Sequence, residues 1–220
     1  MKNFNRAQES SRSMIEMLGV LAIVGVLSVG GIAGYSKAMN KFKTNKISDQ
    51  VQMISTNIRT LFSSQRTYEG LSNGTAVQAG LIPGEMYDQA SASGNIASDF
   101  KLTNAFGGSV YVDSAAQSST NDEMAFTITF DGIPQSSCVS IATTDWGGDI
   151  GSGLAAMYIG AGASGAASSA AQKISNITSN LTAGTNIHIP GDEQHGLPYS
   201  ITDANSACAA DESVVVWKYF

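Results

Sequence analysis

From Met17 to Tyr35 the chain runs for 19 residues without a charge. As a helix this stretch spans about 28 Å, close to the ~30 Å hydrocarbon thickness of a bilayer. It is long for the apolar part of a signal peptide, and no A-x-A cleavage site follows it. Lys2, Arg6 and Arg12 precede it with only Glu9 opposing, which places the N-terminus in the cytoplasm and the rest outside. Lys37, Lys41, Lys43 and Lys46 on the far side pull against that assignment. Glu16 stands at the cytoplasmic edge of the run. A charge at the bilayer centre costs roughly 2.5–3.5 kcal/mol on insertion scales, less where it snorkels to the interface. Two readings stay open: a flanking residue just outside the lipid, or a carboxylate that finds a cation on another copy of the chain.

No proline occurs before Pro83, so one long helix is permitted. Beyond Tyr35, Ile47, Val51, Ile54, Ile58, Leu61 and Phe62 recur at helical steps and form one apolar stripe. A continuous helix from Ser13 to about Ser64 would be roughly 78 Å long. Its second half is expected to lie on a globular body and its first half to project. Nothing in one chain covers that first half, which must sit in lipid or against other copies. Gly19, Gly25, Gly30, Gly31 and Gly34 interrupt it, each costing about 1 kcal/mol of helix propensity. They serve either close helix packing or local unwinding and extension.

Charge divides along the chain. Residues 1–66 hold nine Lys or Arg and three acids; residues 67–220 hold three bases and fifteen acids, a net charge of −12. So acidic a body does not suggest a nucleic-acid surface, and no nucleic-acid partner is expected. Cys138 and Cys208 are the only cysteines, and in an exported body an even pair reads as one disulfide. Closing a loop of that length stabilises by roughly 4 kcal/mol. In the body, Gly108–Asp113, Met124–Asp131 and Ala155–Gly162 read as strands. A short helix is expected from Pro134 towards Gly147, with a strand left open by its β-branched residues; residues 164–180 read as a small-residue helix or loop, and Ser213–Phe220 as a buried final strand.

The segment "SMIEMLGVLAIVGVL" resembles the start of a type IV pilin: a short basic leader, then an apolar helix with a carboxylate near its beginning. "RTYEGL", "NAFGGSVYV" and "CVSIAT" are similar to segments of the type IVb branch, the bundle-forming group within it above all. The likeness spans the chain in architecture and about a third of it in recognisable residues. It implies an α+β pilin fold, with a long N-terminal helix packed on an antiparallel β-sheet and a disulfide-bounded C-terminal region. It also implies the divisions 1–11 (leader), 12–35 (transmembrane and filament-core helix), 36–66 (amphipathic helix) and 67–220 (globular head). Placing Glu16 at the family's fifth mature position puts cleavage between Ser11 and Arg12. The family prefers glycine or alanine before the cut and an apolar residue after it, so this chain departs there. The resemblance further implies that Glu16 pairs with the N-terminal amine of a neighbouring copy; with the leader retained, the Arg12 guanidinium would stand in. Implied partners are further copies of the chain, the inner membrane before assembly, the prepilin peptidase and the pilus assembly machinery. The fibre would serve adhesion, aggregation, conjugation or motility. The alternatives are a minor pilin or type II secretion pseudopilin, and a membrane-anchored periplasmic binding or enzymatic domain.

Other motifs carry no chemistry on inspection. "GAGASG" at 160–165 lacks the acid that a dinucleotide site needs about 20 residues on. "GLSNG" at 70–74 has no strand before Ser72 and reads as a turn, not a nucleophile elbow. "HIPGDEQH", with His188, Asp192, Glu193 and His195, reads as an exposed loop rather than a metal site. Asn73, Asn176 and Asn180 open chance glycosylation patterns. No cofactor and no catalytic residue are expected.

Overall fold

The computed structural model describes residues 4–92, 94, 96–117, 123–147, 153–162 and 186–220, with backbone alone for 4–13. The expected helix or loop at 164–180, with Asn176 and Asn180, lies outside the described residues. Two compact units result, residues 1–42 and 43–220. Helix α1 (Phe4–Phe62) forms the described part of the first and contributes its last turns to the second.

The second unit is built on a six-stranded sheet, all of whose pairings are antiparallel: β1 (Leu102–Thr103), β2 (Ser109–Ala115), β3 (Ala125–Pro134), β4 (Leu154–Ala161), β5 (Ile187–His188) and β6 (Glu212–Tyr219). The spatial order is β1-β2-β3-β6-β4-β5, so the last strand of the chain is inserted between β3 and β4. Alternation assigns the faces. Phe126, Ile128 and Phe130 of β3 join Val215, Trp217 and Tyr219 of β6 in the main core. Their rings touch, Phe126 stacking on Tyr219 at 5.4 Å and Phe130 meeting Trp217 edge-on at 5.7 Å. Thr127 and Thr129 point to the other face, as do Val214, Val216 and Lys218, and these too are buried. At the bulge between Phe130 and Ile133, Gly132 takes a φ of 63°, which a side chain would resist.

Ile47, Val51, Ile54 and Ile58 of α1 are fully buried in this core, as their spacing predicts. Leu61 departs from the expected stripe and stays 46% exposed. It sits at the rim of the stripe in the last turn, and beyond it Tyr68 packs on Phe62 at 5.3 Å. Thr44 donates to Ser137 at 2.9 Å, Lys46 pairs with Glu85 at 3.0 Å, and Asn57 donates to the Leu81 carbonyl at 3.0 Å. Hydrogen bonds from Lys46 and then Gln50 hold the Glu85 carboxyl below its ordinary range.

Helix α2 (Asn73–Gln78) starts at Ser72, whose side chain accepts from the Thr75 N–H while the Thr75 hydroxyl accepts from the Ser72 N–H. The turn expected at Ser72 is therefore a helix start, a capping box with threonine in the usual place of glutamate. Helix α3 (Gln135–Ala142) begins directly after Pro134, and α4 (Ile201–Ala207) is capped by Ser200 accepting from the Asp203 N–H at 3.2 Å. A disulfide joins Cys138 on α3 to Cys208 at the end of α4, with a Cα–Cα distance of 5.9 Å.

Candidate assembly segment

The unusual surface lies on the first unit. Between Met14 and Tyr35 every Leu, Ile, Val, Met and Tyr is exposed, from 51% at Val24 to 75% at Val26. They point in all directions around α1, so no rotation of the helix hides them. Burying thirteen such side chains is worth on the order of 20–40 kcal/mol gross, before ordering costs. Water is a poor medium for this segment, and it demands either lipid or protein.

Glu16 is exposed, as are Lys37 and Lys41. Between Glu16 and Lys37 lie 20 uncharged residues, about 30 Å of helix. The two charges thus bracket a length equal to a bilayer's hydrocarbon core. Ser28 hides its hydroxyl by donating to the Val24 carbonyl at 2.7 Å. Ser11 and Arg12 lie inside α1, whose backbone is helical without a break from Phe4.

Gly25, Gly30 and Gly31 sit in continuous helix. A Cβ added at any of them, or at Gly19 or Gly34, would meet nothing within 4 Å. No contact among the described residues requires these glycines.

The remaining motifs are absorbed by the fold. Asn73, first residue of a glycosylation pattern, is buried: its amide donates to the Phe100 and Val110 carbonyls, both at 2.9 Å, and its oxygen accepts from the Val112 N–H at 2.8 Å. Ser72 is occupied as a cap. The "HIPGDEQH" stretch is not simply an exposed loop. His188 belongs to strand β5 and is 1% exposed, beneath the Tyr199 ring at 3.4 Å, because pairing with Met157 of β4 draws it inward. Among the described residues no three His, Cys, Asp or Glu side chains are grouped to hold a metal ion. Helices α2 and α4 and strands β1 and β5 are not among the elements that the sequence pattern predicts. Ser200 followed by Asp203, and Ser72 followed by Thr75, were the available signals for the two helices.

A family model described as PilS N terminal matches residues 41–219. The major structural subunit of bundle-forming pilus of Escherichia coli O127:H6 (strain E2348/69 / EPEC) is 27% identical over 146 residues, 66% of this chain and 70% of the relative. The subunit of the same description from Escherichia coli O111:H- matches with the same figures. Among solved structures, TcpA, a type IV pilin from Vibrio cholerae El Tor biotype, superposes with a TM-score of 0.53 at 16% identity, covering 81% of this chain and 99% of that one. A type IV b pilin from Salmonella typhi gives a TM-score of 0.46 at 23% identity, covering 80% and 97%.

Proposed function

The chain belongs to the PilS N-terminal family and is a type IV pilin, and on that premise we propose that it is of the IVb branch and the major subunit of a fibre cored by its own N-terminal helices. As a pilin it is a structural pilus subunit, and pilin subunits polymerise. The observation that carries the finer reading is the all-round exposure of the apolar residues from Met14 to Tyr35. The family match begins at residue 41, so the case for this segment rests on its own physics.

Before assembly the subunit resides in the bacterial inner membrane, with Glu16 at the cytoplasmic headgroup boundary and Lys37 at the outer one. Their ~30 Å separation lets neither charge enter the hydrocarbon. On assembly, by this reading, the same carboxylate leaves the interface for the fibre core, where it needs a cation. The prepilin peptidase would supply one by cutting between Ser11 and Arg12 and freeing an amine; an uncut chain offers Arg12. The pilus machinery extracts the subunit, which works outside the cell as a building block, not an enzyme. Adhesion, aggregation, conjugation and motility are the uses open to such a fibre.

Glu16→Val tests this reading. Insertion should persist, since the segment becomes more apolar, while electron microscopy of sheared surface material should find few or no fibres. Wild-type numbers of fibres from this variant would overturn the role given to Glu16. Mass spectrometry of wild-type fibres reads the mature N-terminus directly.

A further inference from the structure

The chain's two histidines stand together at one edge of the sheet, and one of them is built into it. His188 and His195 meet edge-on at 5.4 Å. His188 Nδ1 lies 2.9 Å from the Gly196 carbonyl, which can only accept, so Nδ1 carries the proton and Nε2 is a bare lone pair. That Nε2 is buried, and among the described residues it has no hydrogen-bond partner. One ring face is stacked on Tyr199 at an interplanar angle of 17°. Tyr199 is firmly held: its N–H donates to Ala142 of α3 at 3.1 Å, and its hydroxyl reaches the Met157 and Asn186 carbonyls at 3.2 and 3.1 Å.

The element that His188 secures is slight. Strand β5 is two residues long and pairs with β4 through Met157↔His188 and Tyr158↔Ile187, and the Ile159 N–H of β4 donates to the Asn186 carbonyl at 3.0 Å. The loop beyond it is folded on itself, with the Ile189 N–H donating to the His195 carbonyl and the Asp192 carboxylate accepting from the Gln194 and His195 N–H groups. Residues 186–197 are therefore held on the sheet by this short pairing, by the packing of Ile187 on Val214 and Val216 and of Leu197 on the main core, and by the buried ring of His188. On the far side of Tyr199, α4 is locked to α3 by the Cys138–Cys208 bond.

We propose that His188 is an acid-sensitive latch: neutral, it holds β5 and the loop 189–196 on β4, and its protonation releases them while the disulfide keeps α3 and α4 in place. A proton on Nε2 would create a buried cation with a donor facing no acceptor. Burial first of all, with His195 adding to it, holds the His188 imidazole below its ordinary range. The Gly196 carbonyl, Asp203 of α4 and Asp192 of the loop act the other way. Asp192 is fully exposed, and its carboxylate already serves two backbone N–H groups. Among the described residues, the other titratable groups on these elements are Tyr158, Glu193 and Tyr199; burial pushes the Tyr199 phenol up. In the open state His188 titrates near the ordinary value of about 6.5. The open state therefore binds more protons, and opening is favoured as pH falls through that value, by up to about tenfold per pH unit.

Hydrogen exchange read by mass spectrometry on the full chain in detergent, with rates corrected for intrinsic pH dependence, tests the latch. Between pH 7.5 and 5.0 the amides of 186–196 should exchange about tenfold faster or more, while those of β3 and β6 hold steady. His188→Phe keeps a stacking ring without a titrating nitrogen, and its exchange should lose the pH dependence. A second measurement does not depend on that variant folding: imidazole resonances of the wild-type chain, assigned with His195→Asn, should show His188 titrating below 6.5. Unchanged exchange in the wild type, an equal acid response in His188→Phe, or a His188 midpoint at or above 6.5 would each overturn the proposal.

Discussion

Replacing Gly25, Gly30 and Gly31 together by alanine separates the needs of one chain from the needs of a fibre. In a single subunit the three added methyl groups meet nothing within 4 Å, and all three positions lie in regular helix. Each exchange should therefore return the full propensity difference of about 0.8–1 kcal/mol. The sum, roughly 2.5–3 kcal/mol, favours the continuous helix about a hundredfold over a locally unwound one. Circular dichroism of the detergent-solubilised subunit should show helicity equal to or above that of the parent. Fibre yield should fall. Where neighbouring helices approach at these glycines, the methyl groups obstruct them. Where the helix must unwind to extend, the added stability opposes it. Single variants tell the two apart: packing concentrates the loss at the glycine nearest a neighbour, whereas unwinding spreads it additively over the three. Wild-type fibre numbers from the triple variant, with normal subunit levels, would refute both roles.

Exchange of Cys138 or Cys208 for serine should lower stability by about 2–5 kcal/mol, the chain-entropy estimate for a sequence separation of 70 being roughly 4; thermal unfolding without reductant measures it. Asn73→Ala leaves one buried carbonyl, one part-buried carbonyl and one buried N–H without this partner, at about 1–3 kcal/mol for each buried group that stays unpaired. Chemical denaturation should place this variant among the most destabilised of the polar substitutions in the head.

What the sequence made legible follows from how strongly each pattern is repeated. The stripe of Ile47, Val51, Ile54 and Ile58 spans three turns, and no other structure satisfies it. The alternation in "AFTITF" and the apolar run "SVVVWKY" identified β3 and β6, because long strands in mid-sheet are the most heavily patterned. The placement of β6 between β3 and β4 was not readable from local pattern, being a property of pairing across the chain. Strands β1 and β5 are two residues each, too short to show a period. At Ser72 the sequence reads as a turn, because the capping box beneath it carries threonine where glutamate is usual. His188 looked exposed in a polar stretch, since proximity to Tyr199, eleven residues on, is a tertiary fact. For the assembly segment the position is reversed: its composition alone says that one chain cannot satisfy it.

Where the head begins is itself testable. The stripe alone suggests that a chain starting at Gln50 would keep what the head needs, since Val51, Ile54 and Ile58 remain. The structure moves that boundary to Lys43, where the second compact unit starts. Several interactions lie between the two starts, the Lys43 ammonium over the Phe106 ring at 5.4 Å among them. Ile47 is fully buried, and its loss compares with a large-to-small core substitution, about 2–5 kcal/mol. The Thr44–Ser137 hydrogen bond adds about 1 kcal/mol. The Lys46–Glu85 pair adds less than that, being partly exposed. Residues 43–220 should therefore be soluble and monomeric, and residues 50–220 less stable by roughly 3–6 kcal/mol in urea unfolding followed by tryptophan fluorescence. Equal midpoints for the two chains would refute the boundary. Fibres of wild-type form from residues 43–220 would refute more, because a head without residues 1–42 would then assemble without the helix that the fibre is argued to need.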